Sequence, residues 1–187
     1  MAETLTVIFR KATQRDVPRL AELYNESFAQ WVDTTKTPDH MAAMVEAKGW
    51  NFIVAEDQPG YIAGFALINC NYAATHGVVN LDVMTVDKNA RRLGLGQSLL
   101  RMTDATAHNA GAQVLTLQVV EYNEPAKKLY LKDGFNFVGK RVGYYSDGTS
   151  ALEMAKLLPN SFAANENTHP ATQRPARVKR PRAAPGN

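Results

Sequence analysis

Val83-Met84-Thr85-Val86-Asp87-Lys88-Asn89-Ala90-Arg91-Arg92-Leu93-Gly94-Leu95-Gly96-Gln97 reads as a strand that passes through a polar connection into a glycine-spaced helix start. The β-branched residues favour extended chain. Gly94 and Gly96 permit a tight turn and let a ligand approach the backbone closely. The first N–H groups of a helix lack intrahelical acceptors, and the helix dipole favours negative charge there. Arg91 and Arg92 add forked, permanently charged donors. Taken alone, the stretch reads equally as a pyrophosphate site or as a helix start with two solvent-facing arginines. No Gly-Lys-Ser/Thr follows, so it is not a Walker loop. It lacks the placement of a dinucleotide fingerprint, which opens a βαβ unit with an acid roughly 20 residues on.

Outward from this stretch the elements alternate. Residues 5–10 alternate as a strand, and Thr13 with Asp16 resembles a helix start followed by Val17, Leu20, Leu23, Tyr24 and Phe28 at helical spacing. Residues 25–38 read as a loop carrying Phe28 and Trp31, and 38–48 as a short helix ended by Gly49. Residues 52–56 and 61–70 read as antiparallel strands around Asp57-Gln58-Pro59-Gly60, and 78–86 as a further strand. Residues 94–109 form a helix whose inner side is Leu95, Leu99, Met102, Thr103 and Thr106. A strand at 114–120 precedes a helix at 124–132, capped by Asn123 and ended by Gly134. Strands at 135–141 and 151–157 flank a turn at Asp147-Gly148. The order β-α-α-β-β-β-α-β-α-β-β predicts an α+β fold with one mixed sheet.

The chain has 187 residues, 45% hydrophobic and 21% charged, which suits one domain and an appendage. The net charge of +3 is unevenly spread. Residues 160–187 hold five basic side chains and one acid, leaving the remainder near −1. Basicity is a property of the tail, so a nucleic-acid-binding domain loses its main support. The expected organisation is a domain over 1–158 and a disordered basic Pro/Ala/Arg tail over 159–187, suited at most to weak RNA or ribosome contact. No apolar run approaches ~18 residues and the first residues do not read as a secretory signal, so no membrane association and a cytoplasmic location are expected. The lone Cys70 lies in an apolar stretch and reads as a small buried hydrophobe. His40, His76, His108 and His169 are dispersed, and no spacing suggests a metal.

Arg91-x-x-Gly94-x-Gly96 resembles the acetyl-CoA pyrophosphate loop of the GNAT superfamily of N-acetyltransferases. The match continues through Asn123-Glu124-Pro125-Ala126, Leu129-Tyr130, Gly134-Phe135 and Gly143-Tyr144-Tyr145-Ser146-Asp147-Gly148. This combination is similar to the ribosomal-protein alanine N-acetyltransferases and related protein N-terminal acetyltransferases, over residues 5–157. The resemblance implies a three-layer α/β/α fold with a mixed, mostly antiparallel central sheet and one splayed strand pair. It implies acetyl-CoA held by Met84, Thr85, Val86, Arg91, Arg92, Leu93, Gly94, Leu95, Gly96, Gln97, Asn123, Ala126 and Tyr130. Tyr130 is then the general acid for the leaving thiolate, and Phe28, Trp31, Tyr144 and Tyr145 wall the acceptor.

Two departures from the family pattern bear on function. A glutamate stands at the position matching Gln118 in the alanine acetyltransferases. An amide orients an amine or a water but takes no proton. The remaining choices for the base are Asp82, Glu121 or water, with Asp82 or water preferred because Glu121 sits three residues from Gln118, on the other strand face. Thr149 and Ser150 stand where relatives commonly carry acids. The reading is direct acetyl transfer from acetyl-CoA to a protein or peptide α-amine. Transfer to a small-molecule or lysine amine, and non-catalytic acyl-CoA binding, stay open.

Overall fold

A computed structural model describes residues 4–28, 31, 36–159 and 176–179. Its centre is one eight-stranded sheet in the order β6-β7-β5-β4-β3-β2-β1-β8. The strands are β1 (Thr4–Lys11), β2 (Trp50–Gln58), β3 (Tyr61–Asn69), β4 (Val78–Val86), β5 (Val114–Val120), β6 (Asn136–Arg141), β7 (Ala151–Leu157) and β8 (Ala176–Lys179). The helices are α1 (Val17–Phe28), α2 (Pro38–Glu46), the single turn α3 (Ala73–His76), α4 (Leu95–Asn109) and α5 (Glu124–Lys132). All strand pairs are antiparallel except β4 with β5.

Two apolar clusters cover the two sheet faces. Val17, Leu20, Ala21 and Leu23 of α1 and Met41 of α2 pack with Phe52, Val54, Phe65, Leu67 and Val83. Leu95, Leu99, Leu100 and Ala107 of α4, with Tyr130 of α5, pack on Ile68, Val79, Leu81, Leu115 and Leu117 from the other side. This is the expected three-layer α+β arrangement. The inner side of α4 departs slightly from the expected one: Leu95, Leu99 and Thr103 are buried, but Leu100 and Ala107 complete the face while Met102 and Thr106 are only half-buried. A helix seated on a broad sheet buries a stripe wider than one row.

The first turn before α1 is pinned by charge. Asp16 accepts from Thr13 N at 2.8 Å and from both Arg10 Nη atoms at 2.7 and 2.8 Å, while Arg10 Nε reaches Glu56 Oε2 at 2.6 Å. One guanidinium thereby joins β1, the start of α1 and β2. Burial pushes the Asp16 pKa up, but the hydrogen bonds from Arg10 and Thr13 outweigh it and leave the carboxyl at about 2.

The structure adds or moves several elements. Helix α1 runs through Phe28, so that ring belongs to its last turn and not to a loop. The turn α3, stopped by Gly77 at φ 65°, is too short for periodicity to announce. Residues 176–179 of the expected disordered tail form β8, whose backbone pairs Thr4↔Lys179 through Val7↔Ala176. An edge strand offers unpaired N–H and C=O groups, and a short extended segment satisfies them whatever its apolar content. The rest of the expected tail beyond Pro159 lies outside the described residues. No helix among the described residues is long and apolar enough to cross a membrane.

The Asp16 pKa lies below its ordinary value, so its stabilisation is complete above about pH 4 and is lost as pH falls to about 2. Asp16→Asn is expected to lower the unfolding free energy by about 1.5–3 kcal/mol at pH 7. In urea titrations the gap between variant and parent should close on acidification to pH 2.

Candidate active site

The site begins where β4 and β5 part. Their parallel pairing runs from Val78↔Val114 to Leu81↔Leu117 and stops. Beyond it, β4 stays paired to β3 through Val86, and β5 stays paired to β7 through Val120. The facing edges of the two strands therefore diverge. A bulge marks the same point: Ile68 pairs with Leu81 and Leu67 with Val83, leaving Asp82 as the extra residue on β4. The bulge switches the side-chain parity of the strand. Val79 and Leu81 face the α4 cluster, whereas Val83 faces the α1 cluster. Bulges raise local twist and bend the strand that carries them.

The connection after β4 is anchored by Asp87, which is 5% exposed. It accepts from Asn89 N and from Tyr61 Oη, both at 2.8 Å, and is ion-paired with Arg19 of α1. Desolvation raises its pKa, but these donors and the guanidinium charge leave it lowered. The loop then carries backbone strain. Arg92 has φ 63° and Gly94, the N-cap of α4, has φ 83°. A non-glycine residue in the left-handed region costs free energy and persists where its surroundings hold it, most often at ligand sites. The first bond of this helix runs from Ser98 N to Gly94 O at 3.1 Å, so the N–H groups of its opening turn have no intrahelical acceptor. Arg91 and Arg92 are exposed beside them, with Arg91 Nε on Val86 O at 3.1 Å. Free N–H groups, a helix N-terminus and two cations form a cradle for a pyrophosphate.

Gly96 has a separate reason to be glycine: a Cβ there would stand 3.1 Å from Leu129 Cδ2, so α4 approaches α5 closely. At the start of α5, Asn123 Oδ1 caps Ala126 N at 3.2 Å. Tyr130, about two turns further along α5, is 7% exposed, and its ring meets Phe135 at 5.8 Å edge-on. Burial, and then the neighbouring Tyr145, drive its pKa far above the ordinary phenol value. No described residue hydrogen-bonds its hydroxyl.

The four expected wall residues come together. Ser146 Oγ donates to Trp31 O at 3.1 Å, tying the Tyr144–Gly148 loop to the chain after α1. Phe28 stacks on Tyr24 at 5.0 Å and meets Trp31 at 6.3 Å, while Tyr144 and Tyr145 sit edge-on at 5.1 Å. Burial, then Tyr144, Asp147 and Tyr24, push Tyr145 to about 12. Tyr145 is thus near enough to both Tyr24 and Tyr130 for their charges to couple, and all three phenols are pushed up. Tyr24 was not anticipated, because its helical spacing marks it as a core position.

Asp82 and Gln118 share the sheet face beneath α1. Asp82 is exposed at its edge, yet enough protein surrounds the carboxylate that desolvation raises its pKa, offset in part by Asn80 and Asn69. Gln118 Oε1 accepts from Asn80 at 3.4 Å. Glu121 is differently placed: Lys140 Nζ holds Oε2 at 2.5 Å, and that bond, outweighing desolvation, lowers its pKa. Cys70 is half-buried on the α4 cluster and burial pushes its thiol up.

A model of the acetyltransferase (GNAT) family matches residues 17–135. The chain belongs to this family. As a member it is an acetyl-CoA-dependent acetyltransferase, and the cradle at α4 fits the cofactor's pyrophosphate. It is 28% identical over 161 residues to an uncharacterized N-acetyltransferase of Methanocaldococcus jannaschii, across 83% of this chain and 94% of the other. It is 33% identical over 110 residues to the streptothricin acetyltransferase of Streptomyces lavendulae, 57% of each chain. The ribosomal-protein-alanine N-acetyltransferase of Brucella melitensis superposes with a TM-score of 0.72 at 24% identity, covering 81% of this acetyltransferase and 99% of that chain. A Salmonella typhimurium protein assigned as an acetyltransferase, solved with its cofactor acetyl-CoA, gives 0.73 at 21% identity over 89% and 99%. These two likenesses are of fold.

Gly94 and Gly111 both have positive φ and open space around a built Cβ. Alanine at either strains the backbone by about 1–2 kcal/mol. Gly94→Ala is expected to weaken coenzyme A binding roughly 5–30-fold by calorimetry. Gly111→Ala should lose similar stability and bind as the parent does.

Proposed function

We propose that this acetyltransferase acts on the α-amine of a protein or peptide N-terminus, with Asp82 as the proton acceptor and Tyr130 as the proton donor. The observation that carries the reading is an aromatic wall and a polar floor on the same, α1 side of the sheet. Tyr24, Phe28, Trp31, Tyr144 and Tyr145 are joined across two chain segments by the Ser146–Trp31 hydrogen bond. Asn80, Asp82 and Gln118 line the sheet face where β4 and β5 part. Planar rings pack against an extended peptide, and a carboxylate receives the ammonium that must lose its proton.

Acetyl-CoA supplies the thioester carbonyl that the acceptor nitrogen attacks and the thiolate that leaves. The backbone of Arg92–Gln97, with Arg91, holds its pyrophosphate. The unpaired edges of β4 at Met84–Val86 and of β5 beyond Leu117 receive its pantetheine arm, and Asn123 and Ala126 border it. An α-amine titrates near ~8, so a nearby carboxylate need assist only modestly at neutral pH. A carboxylate whose pKa is raised by desolvation is a better base than an ordinary one. Glu121 is the poorer candidate, because its ion pair with Lys140 opposes protonation. Gln118 orients the amine or a water. Tyr130, kept neutral by burial, retains its proton until the thiolate needs it.

A second reading, transfer to a small-molecule amine, is favoured by the identity shared with streptothricin acetyltransferase. A panel of peptides beginning Ala, Ser or Met, set against lysine, polyamines and streptothricin, separates the two. No preference for free peptide N-termini would sink the leading reading. Asp82→Asn is expected to lower kcat/KM by about 10²–10⁴. Because the Asp82 pKa is raised, the acid limb of the parent's pH profile should lie above the ordinary carboxylate range, and that limb should vanish in the variant.

A further inference from the structure

Asn80 is the centre of a hydrogen-bond arrangement beside the strand gap that the roles assigned so far leave unused. Its Oδ1 accepts from Thr116 Oγ1 at 2.8 Å, and the same hydroxyl lies 3.3 Å from Val79 O. With the carbonyl side of the amide fixed by a donor, the NH₂ side is fixed as well. That nitrogen donates to Asp82 Oδ1 and, at 3.4 Å, to Gln118 Oε1. Asn69, opposite Asn80 on β3, lies near enough to the Asp82 carboxylate to lower its pKa. Its own Oδ1 is taken by Asn71 N at 3.1 Å and Asn71 Nδ2 at 2.9 Å, which leaves its NH₂ side for Asp82.

The residue types follow from the geometry. Position 80 needs one acceptor toward β5 and two donors toward the gap, and an asparagine amide supplies both at short reach. An aspartate there would repel Asp82, and a serine would offer a single hydrogen. Asp82 stands on the same side of the strand as Asn80, two residues on, because the bulge delays the parity switch until Val83.

We infer that Asn80, supported by Asn69, is a positioning residue that holds the Asp82 carboxylate in one orientation at the mouth of the gap and ties it to Gln118. This rests on Asp82 as the proton acceptor. The neighbours on this face carry little competing charge. Asn69 comes from β3, and Thr116 and Gln118 from β5. Glu153, beside Gln118 on β7, is neutralised by Arg141 Nε at 2.7 Å. Tyr24 of α1 is kept neutral by burial, and Glu22 is paired with Arg19 at 2.6 Å.

The test measures kcat/KM against pH for the parent, Asn80→Ala, Thr116→Val, Asp82→Asn and the Asn80→Ala/Asp82→Asn pair. Coenzyme A affinity and urea stability are followed in each. Asn80→Ala removes a donor that favours the charged carboxylate, so its acid limb should move to higher pH with a loss of about 10–100-fold at neutral pH. Thr116→Val frees the amide to turn and should move the limb the same way by less. In the Asp82→Asn background, Asn80→Ala should cost no more than about twofold. An unmoved limb, or an equal loss in both backgrounds, overturns the role of Asn80. Parental activity of Asp82→Asn alone overturns instead the assignment of the proton acceptor on which it rests.

Discussion

The candidate active site depends on β4 and β5 ceasing to pair after four residues. A parallel pair is ordinarily continuous, because each strand needs its neighbour to satisfy backbone N–H and C=O groups. Here both strands stay paired on their outer edges, β4 with β3 apart from the Asp82 bulge and β5 with β7, while their inner edges separate. The unpaired edges are the cost of the gap, and on the proposed reading the polar pantetheine arm offsets it. The bulge at Asp82 sits at the point of parting and gives a local cause, since one extra residue bends β4 away from its neighbour. The same residue count sends Val83 to the α1 core and leaves Asp82 at the rim.

A gap of this kind works only if its two lips are held. The β4 lip is fixed from both layers. Asp87 gathers Arg19 from α1, Tyr61 from β3 and the N–H of Asn89, and the Thr85 and Ser27 hydroxyls hydrogen-bond across to α1. Gly64 lets β3 close against this segment, since a Cβ there would lie 2.7 Å from Thr85 O. The β5 lip is held by β7 and by the Asn123 cap of α5. With both lips held, the strained backbone at Arg92 is over-determined by its surroundings. Its free N–H groups are therefore organised before any anion arrives.

The fold was legible in the sequence because its elements obey local rules: alternation in β1, helical spacing in α1 and α4, Asn123 and Gly134 bounding α5. The loop Arg91–Gly96 was legible for the same reason. What lay hidden depends on register. Nothing local announces that Asp82 is a bulge residue, because one inserted residue leaves the hydrophobic pattern of 78–86 intact. Asn80, Asn69 and Thr116 read separately as ordinary polar strand positions, and only strand pairing assembles them. Arg19 and Asp87 are far apart in sequence. Residues 176–179 failed the compositional test for order because that test weighs side chains, whereas an edge strand captures backbone.

The placement of the base follows from the same geometry. In the alanine acetyltransferases that this chain resembles, the carboxylate stands at the position of Gln118, on β5. On the proposed reading, the carboxylate of this chain stands across the gap, at Asp82 on β4. Moving it changes what must support it. A residue within a paired strand is steadied by neighbours on both sides, but a bulge residue at a rim has lost one of its ladder contacts. The Asn80 amide, with Asn69 nearby on β3, replaces the steadiness that the ladder no longer provides. Both also oppose the desolvation that raises the Asp82 pKa. Gln118 then has a reason to be an amide: a second carboxylate beside Asp82 would repel it and push one of the two towards the protonated form.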